Sequence, residues 1–353
     1  MESKLGKYLT TIFVIALLAV AIYRLWDLPK SPLTSKHQSR IMMDTVVTLR
    51  IYQGDAEQID QAVETAFAEI KRLESLLSRW LPDSEISRIN AQAGHSRVSV
   101  SPETWQAIRS TQRISRLTEG GFDLTIGAVT QLWDFQSEET RVPEAAALER
   151  QLQLMGAHQV RLDSSGMRVG LRDRGAAIDL GGAAKGYAVD RAIEVLREWG
   201  VKRAVVDAGG DIGLLGKKPR GETWKIGIRH PKDPKATLEV IEVDSGAVAT
   251  SGNYERFFLQ DGVRYHHILD PLTGMPANQV VSVTILADMA IEADILSTAV
   301  FVLGPQRGMT LIEQLSGVEG IIYIEGQGGL RRLASSGLPA DVRKHNLSKA
   351  HLP

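Results

Sequence analysis

The chain has 353 residues, 43% hydrophobic and 24% charged, a balance that excludes a disordered polymer and allows one large core or two ordinary ones. Lys plus Arg number 41 against 42 Asp plus Glu, so no overall positive field exists to hold nucleic acid, which is not an expected partner. Cysteine is absent, which removes disulfides, thiolate ligands, a Cys nucleophile and a lipid-modified Cys, and leaves oxygen or imidazole to hold any metal.

Lys4 and Lys7 precede an uncharged, largely apolar run from Tyr8 to Tyr23, the pattern of an export signal or anchor. The run is slightly shorter than the roughly 20 residues that span a bilayer, and Ala19-Val20-Ala21 fits a cleavage site, so a cleaved signal stays open. Leu25 and Trp26 extend the span and sit at the interface, which favours a retained anchor over residues 1–26 with the rest of the chain outside the cytoplasm. Residues 27–39, with Pro29 and Pro32, read as a tether, and the body begins near Arg40.

Residues 45–52 alternate in polarity as a half-buried strand does. Ile59, Val63, Ala66, Phe67, Ile70, Leu73 and Leu77 then recur at helical spacing, and Pro82 marks the end. Asp83-Ser84 opens a short helix through Ile89; Ser101-Pro102-Glu103 opens a longer one through Leu117, stopped by Gly120-Gly121. A helix over 143–154, strands near Val160 and Met167, an apolar strand ending at Ile178 and a helix over 187–199 follow. Strands are expected at 204–206, 224–228, 238–243, 265–269, 280–286 and 320–324, with a helix at 290–303. Strands and helices cluster without strict βαβ alternation, which predicts an α+β fold over 40–335 and not a parallel doubly wound sheet. The polar residues 336–353 read as a loose tail.

Four stretches carry chemistry. Asp179-Leu180-Gly181-Gly182-Ala183-Ala184-Lys185-Gly186 runs through glycines into a helix, where exposed N–H groups and a Lys suit a phosphate; a tight connection with a surface Lys explains the same residues. Asp294 and Thr298, four apart near a helix start, share one face as a hard cation such as Mg2+ requires; an Asp cap and a Thr bonding back to its own helix remain the alternative. His266-His267 before Asp270-Pro271 places adjacent imidazoles on opposite faces of a strand, so at most one enters a given site. Gly121-Phe122-Asp123 with Trp133 suits either a ligand loop or a core loop, and 207–211 and 250–254 read as polar glycine turns.

In order along the chain, Met42-Met43-Asp44-Thr45, Ser78-Arg79-Trp80 with 84–90, Gly121-Phe122-Asp123, the run 179–190, Thr250-Ser251-Gly252-Asn253-Tyr254, His267-Ile268-Leu269-Asp270-Pro271 and 293–299 resemble the blocks of the ApbE family of FAD:protein FMN transferases over about residues 40–330. The resemblance implies two closely packed α/β halves with FAD as substrate in the cleft between them. It implies FAD contacts from Met43, Trp80, Gly121, Phe122, Asp123, Asp179, Lys185 and Ile268. It further implies Mg2+ held by Asp294, Thr298 and the Gly182 carbonyl, with help from Ser297. The acceptor it implies is a Thr or Ser in an Asp-x-x-Ser/Thr-Gly-Ala-Thr/Ser segment of a membrane redox-complex subunit, modified at the periplasmic face of a bacterial inner membrane. His267 is the expected base for the acceptor hydroxyl, and Asp179 the reserve. FAD hydrolysis and FAD presentation by an assembly factor stay open. The family's usual glycine is replaced by Asp44, which puts that contact in question.

Overall fold

The computed structural model describes residues 35–52, 56–133, 135 and 140–338; the expected anchor, most of the tether and the tail beyond 338 lie outside the described residues. Strand β1 (Lys36–Met42) pairs antiparallel with β2 (Thr45–Ile51), so the chain is ordered into the sheet ahead of the expected start at Arg40. The first residues of β1 look like linker because their partners are polar: Gln38 and Arg40 both reach Glu64. In β2 the expected alternation holds, with Val47, Leu49 and Ile51 fully buried.

The main sheet has eight strands in the order β1-β2-β6-β7-β10-β13-β14-β15. Its further members are β6 (Ala204–Ala208), β7 (Asp211–Leu215), β10 (Gly246–Gly252), β13 (Ser282–Ala287), β14 (Glu319–Gly326) and β15 (Gly329–Ala334). Every pairing in it is antiparallel, as an α+β fold allows and a doubly wound sheet does not. Of the stretch 250–254, expected as a turn, residues 250–252 are instead the end of β10, with Thr250 and Ser251 opposite Thr284 and Val283, and the turn is confined to Asn253-Tyr254. Small polar side chains at the end of a strand mimic turn composition when the pairing partner is unseen.

Helices α1 (Ala56–Leu77), α6 (Ala184–Glu198) and α7 (Ala290–Gln314) pack with this sheet around one large core, in which Phe67 and Phe301 are fully buried. The N-termini of α6 and α7 touch: a Cβ at Gly186 would lie 2.3 Å from the Ala290 carbonyl oxygen, so only glycine permits this approach. Met289, the N-cap of α7, has no capping side chain, and Asp190 of α6 takes over by accepting from Ala290 N–H (2.7 Å) and Ile291 N–H (2.9 Å). Helix α7 breaks at Gly304, φ 79°, and resumes with Pro305; the expected end at Leu303 is this break, after which a second segment runs to Gln314.

Serine caps open the next helices as expected. Ser84 accepts from Ser87 N–H (2.9 Å) at α2 (Glu85–Ala91), and Ser101 from Thr104 N–H (3.3 Å) at α3 (Pro102–Leu117). Ile178 does not end a strand. Its backbone N–H and C=O are both bonded by the Asn90 amide (2.7 and 2.9 Å), and only Ala177 makes an isolated bridge, to Ile126. Short α4 (Gly127–Thr130) and α5 (Ala145–Leu152) pack with the hairpin of β11 (Phe257–Gln260) and β12 (Val263–His266) around Trp133 and Phe258. Strand β12 stops at His266, short of the expected 269, and Leu269 makes only an isolated bridge to Pro276.

Candidate active site

One cavity of about 1000 Å³ opens where the α6 and α7 N-termini meet the ends of β10 and β12 and the β1–β2 turn. Asp179, Gly182 and Lys185 reach it from the connection into α6. The Asp179 carboxylate is fully engaged: Oδ1 accepts from Gly181 N–H (2.8 Å), while Oδ2 accepts from Thr130 Oγ (3.1 Å) and pairs with Arg79 Nε (3.1 Å). Those bonds set the turn that leads into α6. A Cβ on Gly182 would sit 2.9 Å from the Phe122 ring and 3.2 Å from the Thr298 hydroxyl, so this backbone is wedged between an aromatic edge and α7.

Lys185 forms an ion pair with Asp211, a carboxylate only 2% exposed that the sequence placed in an ordinary glycine turn. The turn itself is present, with Asp207 accepting from Gly210 N–H (2.9 Å); what the sequence does not reveal is that Asp211, opening β7, faces the α6 terminus. Asp294, 4% exposed, accepts from Gly186 N–H (3.0 Å). Burial and the nearby Asp211 carboxylate push Asp294 up to about 7, against the opposing pull of Lys185 and the Gly186 N–H. Burial also raises Asp211, and it works against the charge on Lys185, where Asp211 and Asp294 prevail and hold the ammonium above its ordinary range. Asp211 thus holds the ammonium in an ion pair, while Asp294 acts on it through its charge and forms no ion pair with it.

Thr298 lines the cavity with Asp294 and is 3.2 Å from the Ser251 hydroxyl. Ser297 does not line it. Its fully buried hydroxyl donates to the Asp294 carbonyl (2.9 Å) and lies 2.8 Å from Ser251 Oγ, which makes it a support for α7 and β10. Ser251 therefore joins both residues, a role concealed by reading 250–254 as a turn.

The two histidines divide at the end of β12, His266 inside the strand and His267 just past it. His266 is 3% exposed, with Nε2–H donating to the Ala277 carbonyl (2.7 Å), Nδ1 accepting from Ile268 N–H (3.3 Å) and the ring edge-on to Phe301. His267 lines the cavity beside Ile268, its Nδ1 3.3 Å from the Arg256 carbonyl. A carbonyl partner requires Nδ1 to carry the proton, which leaves Nε2 with its lone pair as an acceptor. Burial, then the Arg256 charge and His266, depress His267 to about 4, so it is neutral at pH 7.

Met43, Trp80, Gly121, Phe122 and Asp123 line the remaining wall. Trp80 is 65% exposed, with the Arg79 guanidinium 4.1 Å from its ring centre, and Asp123 closes its own loop by accepting from Thr125 N–H (2.8 Å). Met43 and Asp44 both have positive φ, 51° and 57°, between paired Met42 and Thr45, the backbone of a two-residue hairpin turn. Asp is among the side chains that tolerate that conformation. The Met43 N–H is held by the Glu74 carboxylate (2.9 Å).

Residues 43–322 match the ApbE family. A protein from Klebsiella pneumoniae named FAD:protein FMN transferase is 34% identical over 285 residues, covering 80% of this chain and 87% of its own length. One from Treponema pallidum with the same name is 34% identical over 324 residues, covering 87% and 88%. The ApbE protein of Thermotoga maritima superposes with a TM-score of 0.78 at 35% identity, over 86% of this chain and 97% of its own. The flavin transferase ApbE of Vibrio cholerae gives 0.76 at 31% identity, over 86% and 98%. Sequence, architecture and the convergence of the ordered blocks on one cavity agree, and this chain belongs to the ApbE family.

Proposed function

We infer that the protein is an FAD:protein FMN transferase, moving the FMN half of FAD onto another protein and releasing AMP. The observation that carries this reading is its place among relatives so named, with the family blocks gathered around a cavity large enough for a dinucleotide. Asp294, Thr298 and the Gly182 backbone fit a magnesium ion. The support is the oxygen-only donor set on one wall, where burial first and the Asp211 carboxylate second raise Asp294. Magnesium, when bound, supplies neutralisation of the FAD pyrophosphate and stabilises AMP as leaving group.

Lys185, at the N-terminus of α6, binds and orients the pyrophosphate, and Asp211 fixes the ammonium there. The acceptor is a Thr or Ser hydroxyl whose oxygen bonds to the FMN phosphorus as the bond from that phosphorus to the AMP oxygen breaks. The hydroxyl proton goes to His267 Nε2. The engaged oxygens of Asp179 favour a positioning role for it over that of base. Met43, Trp80, Gly121-Phe122-Asp123 and Ile268 line the space for the flavin and adenine. The N-terminal apolar run supports a bacterial inner-membrane anchor with the enzyme in the periplasm, next to acceptor subunits of membrane redox complexes.

The test is to incubate the full chain with FAD, magnesium and a soluble carrier displaying Asp-Leu-Val-Thr-Gly-Ala-Thr, then measure carrier mass and in-gel flavin fluorescence. Added mass of one FMN moiety, lost on chelation, is expected. FAD cleaved to FMN and AMP with the carrier unmodified would replace transfer by hydrolysis.

A further inference from the structure

The catalytic cavity continues into a second, shallower groove of about 470 Å³, lined by Ile41, Asp44, Phe135, Glu255, Arg256 and Phe257. Asp44, Phe135, Glu255 and Arg256 belong to both, so the groove and the cavity are one continuous surface. Its inner end is at the base itself, since the Arg256 carbonyl accepts from His267 N–H (3.1 Å) and faces His267 Nδ1.

The outer end is apolar and exposed. Ile41 is 85% exposed and Phe257 38%. Ile41 lies opposite Val46, itself 55% exposed, across the β1–β2 pair. The Arg264 guanidinium sits 4.4 Å from the Phe257 ring centre and covers one of its faces. Large apolar side chains left in water beside an active site mark a contact surface. On the same side β1 is the edge of the eight-stranded sheet, and an edge accepts an added extended segment through backbone bonds while pockets take alternate side chains.

We propose that this groove is the docking surface of the acceptor protein, which lays an extended segment between edge strand β1 and strand β11. Apolar side chains flanking the reacting hydroxyl seat on Ile41 and Phe257, and the hydroxyl is thereby presented to His267. The proposal rests on the transferase reading, because that reaction brings a protein to the cavity mouth once FAD fills the interior. A small-molecule acceptor at the cavity mouth would leave Ile41 and Phe257 uncovered. Neither Ile41 nor Phe257 lines the cavity assigned to FAD, so docking and FAD binding are separable by substitution.

Full-length Ile41→Ser and Phe257→Ser are compared with the wild type on two carriers, one displaying Asp-Leu-Val-Thr-Gly-Ala-Thr and one with Gln in place of Leu and Val. The wild type favours the apolar carrier. Each variant raises the KM for that carrier about tenfold, as loss of an interface anchor does, and loses the preference, with the KM for FAD and kcat unchanged. Because the chain has no cysteine, Ile41→Cys also gives a unique site for a benzophenone label. Photocrosslinking to the carrier is expected from position 41 and not from Trp199→Cys, at the far end of α6. Unchanged carrier KM in both variants, or equal crosslinking from the two labels, overturns the proposal. Crosslinking of position 41 to residues 27–34 of its own chain also overturns it and gives the groove to the tether. Failure of the wild type to flavinylate either carrier overturns the transferase reading itself.

Discussion

His266 and His267 are chemically identical neighbours with opposite fates. Replacing His267 with Ala removes the acceptor for the hydroxyl proton; kcat for transfer is expected to fall about 10²- to 10⁴-fold with FAD affinity retained, as read by stopped-flow fluorescence. Unchanged kcat would remove it as base. Burial first, opposed by the Ala277 bond, depresses His266 to about 4. Its folded-state pKa lies below the unfolded 6.5, so the stability it contributes is present above 6.5 and is lost as pH falls toward 4. That gap corresponds to about 3 kcal/mol. Urea midpoints at pH 7.5 and 5 should differ less in His266→Gln than in the wild type; equal differences would show that His266 carries no such linkage. Asp211→Ala strands the Lys185 ammonium without its partner, and a loss of about 3 kcal/mol in urea unfolding is expected, with weakened FAD binding.

Helices α6 and α7 carry the site between them, and their contact is what aligns Lys185 with Asp294. Asp190→Ala leaves the Ala290 and Ile291 N–H groups without their acceptor, an expected cost of about 1 to 2 kcal/mol measured by thermal or urea unfolding. The same variant should raise the magnesium concentration needed for half-maximal activity, since Asp294 stands in the second turn of the helix so capped. A loss of stability without change in magnesium dependence would confine Asp190 to folding. Helix α7 is also long and apolar enough to cross a membrane by composition alone, yet it packs among α6, β10 and β13, with Phe301 and Val300 fully buried. Apolar content all round a helix signals burial, and the surrounding elements decide what buries it.

For the whole molecule, a ligand that binds only the folded state stabilises by mass action. FAD with magnesium at about 100 times Kd should add roughly 2.7 kcal/mol and raise the melting temperature, with chelation removing most of the gain. In Asp294→Ala, magnesium should add nothing beyond FAD alone; a retained magnesium increment would place the ion elsewhere.

Much of this was legible from the sequence because its codes are local. Serine caps at Ser84 and Ser101, the helical period from Ile59 to Leu77 and the alternation of β2 each act within a few residues, and the structure repeats them. The order of the glycine, acidic and histidine blocks likewise pointed to the family, since spacing along the chain is a property of the chain. Only the tertiary structure could show that β1 reaches back to Lys36, that 250–252 is strand, that Asp211 faces Lys185, or that Ser297 turns away from the cavity. Each of these depends on a partner 24 to 46 residues away, or on a sheet neighbour, and a charge buried against such a partner has the same composition as one in a solvated turn.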